Sequence, residues 1–153
     1  MKKVLLFLSV FISATICAAP LQVGDGVPSI QLKDQFDKAV LINEQTKIIL
    51  FASEKSTSEQ VTKALETLPP TSLVDKGAIY IADISGMPGF ITKMVAIPRM
   101  QKLAYAVALI RNSKESESLP KKTGTVTLIQ MEAGKVKGIT YLSGEAEIAQ
   151  SLK

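Results

Sequence analysis

Lys55-Ser56-Thr57-Ser58 is the stretch most able to do chemistry, because it sets serine hydroxyls one and three positions after an amine. A lysine beside a serine can serve as the base of a Ser–Lys nucleophile pair, but only where burial lowers the pKa of the amine. This stretch reads as an exposed turn, which does not supply that burial. A second candidate is Asp83-Ile84-Ser85-Gly86-Met87-Pro88. It follows an apolar run and precedes a helix signal, the place where open α/β sheets bind ligands. Capping of the helix by Asp83 or Ser85, with Gly86 in the turn, explains the same residue types. Lys55, Ser56, Ser58, Asp83 and Ser85 are therefore candidate binding residues, and no catalytic residue is assigned.

Other chemistry is closed by composition. The sequence has no histidine, and its one cysteine is Cys17. Met87, Met94, Met100 and Met131 could in principle make a thioether site for Cu(I), but methionine without histidine or cysteine is ordinary core filler. No metal site is assigned. Gly24-x-Gly26 lacks the third glycine of a dinucleotide fingerprint and has no strong strand before it. No cofactor is expected from the residues themselves.

Residues 1–19 read as a secretory signal peptide. Lys2 and Lys3 form the positive start, Val4 to Ile12 the apolar run, and Ser13 to Ala19 the small-residue region. That run is too short to span a bilayer, which needs about 20 apolar residues. Cleavage after Ala19 puts Cys17 and Ala19 at the small positions but leaves Pro20 first, whereas cleavage after Ala18 puts Ile16 where a small residue is preferred. Ala14, Thr15 and Ile16 do not resemble the lipobox that would precede a lipidated Cys17. The expectation is a domain of residues 20–153, exported to the periplasm with no stable membrane anchor.

Removing 19 of 153 residues leaves 134, the size of one domain. Cys17 goes with the signal, so the exported domain has no disulfide and must be held by packing. Lys2 and Lys3 go too, leaving 16 basic against 14 acidic residues, a net charge of +2. With no basic block longer than Lys121-Lys122 and few aromatic residues, nucleic acid is not an expected partner.

The elements that would position the candidates follow from pattern. Residues 24–30 read as a loop, Ile30 to Leu32 as a short strand and Asp34 to Lys38 as a turn. Lys47 to Ala52 and Gly77 to Ile84 are continuous apolar runs, typical of strands buried on both faces. Ser56 and Glu59 have capping-box spacing before the helical repeat Val61, Ala64, Leu65, Leu68, which Pro69-Pro70 stops. Pro88 can open a helix to about Lys102, interrupted at Pro98. Tyr105 to Ile110 reads as a strand, Thr123 to Met131 and Lys135 to Tyr141 as a hairpin, and Gly144 to Lys153 as a closing helix. The alternation, hairpin and terminal helix describe an α/β sandwich around a mixed central sheet flanked by helices.

That order is the thioredoxin-like layout. Val23-Gly24-Asp25-Gly26-Val27-Pro28-Ser29-Ile30-Gln31-Leu32-Lys33-Asp34 resembles the opening segment of peroxiredoxin-type and thiol-reductase-type members, which often read V-G-D-x-x-P-x-F-x-L-x-D. On that resemblance Lys55-Ser56-Thr57-Ser58 stands where a Cys-x-x-Cys motif would lie. Thr123-Gly124-Thr125 stands where a proline would precede the hairpin strand. A thiol at a helix start is activated by the dipole and free N–H groups, whereas a hydroxyl gains far too little there for redox work. Asp83 to Pro88 and Ala96-Ile97-Pro98-x-Met100 further resemble small exported thioredoxin-like proteins of proteobacteria. The resemblance implies a redox-inactive protein that binds a protein or peptide partner through the former active-site face. The alternative is an oxidoreductase or cofactor-binding protein, because some of those relatives carry the label FAD/FMN-containing dehydrogenase. Nothing in these residues supports that label.

Overall fold

The computed structural model describes residues 19–26, 28 and 30–153, so all of the signal segment but Ala19 lies outside the described residues. The uninterrupted apolar runs become the centre of a sheet. β1 (Leu32–Lys33) and β2 (Ala39–Val40) form a short edge hairpin, and β3 (Ile48–Ala52) lies deep inside. β4 (Ala78–Asp83) runs parallel to β3 with Leu50 opposite Tyr80, and β5 (Ala108–Ile110) runs parallel to β4. On the other side of β3, β6 (Val126–Glu132) and β7 (Lys135–Leu142) add antiparallel strands. The seven-stranded order is β2-β1-β5-β4-β3-β6-β7. At the tip of the β6–β7 hairpin, Ala133 and Gly134 both have positive φ (49° and 74°), as a type I′ turn requires.

Because strand side chains alternate, β3 feeds two cores. Leu50 and Ala52 pack with Val61, Ala64 and Leu65 of α1 (Lys55–Glu66), with Leu73 of α2 (Ser72–Asp75), and with Ile148 of the closing helix. Ile49 and Phe51 pack on the opposite face with Ile81, Ile110, Ile129 and Leu119. The helices thus supply the first core. Leu21, Ile30 and Ile42 from the N-terminal third cover the second.

The crossover after β4 is a helical segment of residues 89–100 in three parts: α3 (Gly89–Ile91), a π-helical stretch Thr92–Ala96, and α4 (Ile97–Met100). Pro98 explains the change of winding. It offers no N–H to Met94, and its ring crowds that carbonyl, while the Ile97 N–H reaches back five residues to Thr92. The sequence expected an interruption at Pro98; the chain rewinds without stopping. The closing helix is α5 (Glu145–Ser151), entered through Gly144 at φ 86°. The described chain also contains β2 and α2, which the sequence pattern did not show. Both are too short for a periodicity to register.

One buried polar side chain fixes the far end of this crossover. Gln35, 1% exposed in the β1–β2 turn, accepts a hydrogen bond from the Val107 N–H at 2.8 Å. Its amide donates to the Tyr105 carbonyl at 2.8 Å and the Met100 carbonyl at 3.3 Å. Asp34 closes the same turn by accepting from the Phe36 and Lys38 N–H groups.

Candidate functional site

α1 starts two residues earlier than the sequence suggested, and with different partners. Glu54 is its N-cap, and Thr57, at the third helical position, returns its hydroxyl to accept the Glu54 N–H at 3.1 Å. The box expected between Ser56 and Glu59 does not form. Ser56 is exposed and donates to the Glu54 carboxylate at 3.5 Å, and Glu59 lies 3.7 Å from Lys55. Thr57 is fully buried where Ser56 is not, so the two positions should differ sharply. Thr57→Ala is expected to cost about 1 to 2 kcal/mol and Ser56→Ala less than about 0.5. Urea unfolding of both variants checks this, and equal losses would contradict the assignment of the cap.

The Glu54 carboxylate does more than begin a helix. Its other oxygen accepts the Gly124 N–H at 3.3 Å, which ties the helix start to the turn before β6. Lys122 to Thr125 is closed by the Thr125 hydroxyl on the Lys122 carbonyl at 2.8 Å, and Gly124 takes a φ of 72° that L side chains rarely adopt. The positive end of the helix therefore has an anion beside it already, which is the stabilising arrangement. The place where a thiolate would use that field holds Lys55, three-quarters exposed, and the half-buried Ser58. Lys55 is solvated and beside Glu59, the opposite of the buried setting a catalytic lysine needs.

Beside this helix start lies a groove of about 560 Å³. α1 contributes Lys55, Ser58, Glu59, Thr62 and Lys63 to one wall, and the opposite wall carries Met87, Pro88, Ile91, Val95 and Arg99. Tyr80 forms part of the floor, and its hydroxyl donates to the Ser58 carbonyl at 3.4 Å. Burial pushes the Tyr80 phenol well above its ordinary pKa, which keeps it a neutral donor rather than a base or nucleophile. Burial also raises Tyr105, whose ring lies 6.4 Å from that of Tyr80. Phe90 and Met94, 73% and 71% exposed, extend the apolar surface along the crossover.

The five sequence candidates do not form one site. Lys55 and Ser58 line the groove; Ser56 does not. Asp83 is used locally, accepting from the Ser85 N–H at 2.9 Å and the Ser85 hydroxyl at 2.6 Å. This is a turn within the strand end and not a helix cap, since Pro88 precedes α3, and Gly86 has no positive φ. Ser85 borders a separate hollow of about 380 Å³ with Lys93, Arg111 and Asp37. There the Arg111 guanidinium, 2.6 Å from Asp37, holds that carboxyl below its usual pKa.

Sequence reasoning missed Ile91, Val95 and Arg99. A signal was present: residues 87–95 hold more apolar side chains than one buried helix face can use, and the stretch between Asp83 and Glu115 contains no acidic residue. The methionines do not converge, since Met131 lies in the second core, Met87 and Met100 pack against the first, and Met94 is exposed. Among the described residues no cluster of acidic side chains could hold a metal ion. Gly24 and Gly26 stand beside β7, where the Gly24 N–H donates to the Val136 carbonyl, and not between a strand and a helix.

Neither a protein-family model nor a curated protein sequence matches the chain. Solved structures do. A peroxiredoxin-like protein from Aquifex aeolicus is similar at a TM-score of 0.55 and 13% identity, over 89% of this chain and 88% of that one. The thioredoxin domain of a thiol-disulfide oxidoreductase from Bacteroides vulgatus gives 0.57 and 17%, over 86% and 96%. A thio-disulfide isomerase from Thermus thermophilus gives 0.53 and 14%, over 86% and 95%. Identities this low carry the architecture and not the activity. With its mixed seven-stranded sheet and flanking helices, the chain has a thioredoxin-like fold.

Proposed function

We propose that this is an exported, redox-inactive thioredoxin-like protein that binds a protein or peptide segment in the groove between α1 and residues 87–100. The observation that carries the reading is the pairing of the apolar wall formed by residues 87–100 with Lys55 and Ser58 at the start of α1. The position suited to a reactive thiol pair holds an amine and a hydroxyl, while a surface able to take a partner lies directly beside it. An apolar wall facing polar groups is an ordinary make-up for a binding cleft, and 560 Å³ is an ordinary size for one. Export follows from the charge, apolar run and small residues of positions 2–19, and it removes Cys17, the only thiol of the chain.

Two measurements on the cleaved protein test this. Insulin reduction and peroxide consumption should both stay at background, and turnover by metal-free protein, or a stoichiometric yellow flavin, would contradict it. Capture from a periplasmic extract should retain a partner on the wild type and lose it on Ile91→Ser/Val95→Ser. Retention by both would place the contact elsewhere.

A further inference from the structure

Resting on that reading, we infer that the groove takes an extended peptide segment that alternates apolar and acidic residues. Its charged edge is lopsided: Lys55, Lys63 and Arg99 line it against the single acid Glu59. Lys55 sits 3.7 Å from Glu59 and Lys63 sits 3.2 Å from Glu145, which leaves Arg99 without an ion pair among the described residues. Both pairs are solvent-exposed, so an incoming carboxylate can exchange with Glu59 or Glu145 without stranding a buried charge. The wider setting has the same sign. Between Asp83 and Glu115 the chain has no acid, and Lys93, Arg99 and Lys102 are its cations on and just after the crossover.

Length and shape choose the class of ligand. Lys55 and Lys63 are eight helical rises apart, about 12 Å, and an extended strand covers that distance in about four residues. Alternating side chains would send one set against Ile91, Val95 and Met100 on the apolar wall and the other toward the cationic edge. Phe90 and Met94 continue the apolar surface past the edge of the groove. A peptide lying in the groove meets the apolar wall and the cationic edge together, whereas Phe90 and Met94 lie outside the groove lining.

The test is fluorescence anisotropy of the cleaved protein with three labelled hexapeptides of alternating leucine and one polar type: aspartate, asparagine or lysine. The aspartate peptide is expected to bind at least about tenfold more tightly than the asparagine peptide, with the difference shrinking as salt is added. Arg99→Glu, at an exposed position, leaves two cations against two acids and should erase that preference, which a merely structural role would not do. Equal binding of aspartate and asparagine peptides would overturn the acidic specificity and leave the groove reading intact. Binding of no peptide would overturn both. Sedimentation with phosphatidylglycerol vesicles but not phosphatidylcholine vesicles, in the absence of peptide binding, would overturn the proposal in favour of a lipid surface.

Discussion

Gln35→Leu is expected to destabilise the domain by about 3 to 5 kcal/mol, a large part of what a domain of this size usually has. Leucine nearly matches glutamine in volume, so the loss comes from polar groups left unpaired. The Val107 N–H is the most exposed to this, because Val107 is itself only 1% exposed and no water can replace its partner. The Tyr105 and Met100 carbonyls lose donors at the same time. Each orphaned buried group costs about 1 to 3 kcal/mol, and the groups share one loop, so their losses do not simply add. Urea unfolding measures the total, and amide exchange at Val107 reports the local release. Gln101→Ala is the control: Gln101 donates to the Gln35 carbonyl at 3.0 Å from an exposed position, and its loss should stay below about 1 kcal/mol. A similar loss from both would mean that the Gln35 side chain is not what anchors residues 100–107. Met100, Leu103 and Val107 line the groove, so the same substitution should weaken binding there.

What the sequence showed and what it hid follow from range. Apolar runs at Ile48–Ala52 and Ala78–Asp83 specify buried strands locally, and helical spacing at Val61, Ala64 and Leu65 specifies the face of α1 that is buried. Gln35 could not be read, because its partners lie 65 to 72 residues away and a glutamine in a turn looks like solvent-facing filler. The cap of α1 was misplaced by competition between neighbours, since Ser56–Glu59 and Glu54–Thr57 both have three-residue spacing. Burial decided for Thr57. Of the residues that line the candidate groove, Lys55 and Ser58 stood out by type. Ile91, Val95 and Arg99 did not, because only the fold brings residues 87–100 alongside α1.

The second large effect is a gain. Lys55→Cys/Ser58→Cys should form a disulfide and turn over insulin with dithiothreitol at least about tenfold above the wild-type background. The two positions are three apart at the start of α1, one exposed and one half-buried, so an attacking thiol would be accessible and its partner within reach. The helix dipole and free N–H groups favour the thiolate at Cys-substituted position 55. The Glu54 carboxylate opposes it, because a nearby negative charge disfavours a second one. Adding Glu54→Gln should therefore lower the thiol pKa by about one unit, which is about tenfold more thiolate at pH values below it. A pH profile of alkylation rate reads that shift directly. Failure of the double variant to form a disulfide on oxidation would mean that Lys55 and Ser58 do not stand where a redox pair would, and the reading of this surface as a former redox face would fall with it.

The claim that partners bind in the groove is tested most directly by amide chemical-shift mapping of the cleaved protein, titrated with the aspartate peptide and separately with its asparagine counterpart. Shifts are expected to concentrate at Lys55, Ser58, Ile91, Val95 and Arg99, saturating together and at lower concentration for the aspartate peptide, with Tyr141 on the exposed side of β7 unmoved. Shifts centred on β7, or the absence of shifts at the five groove positions while other residues saturate, would contradict it.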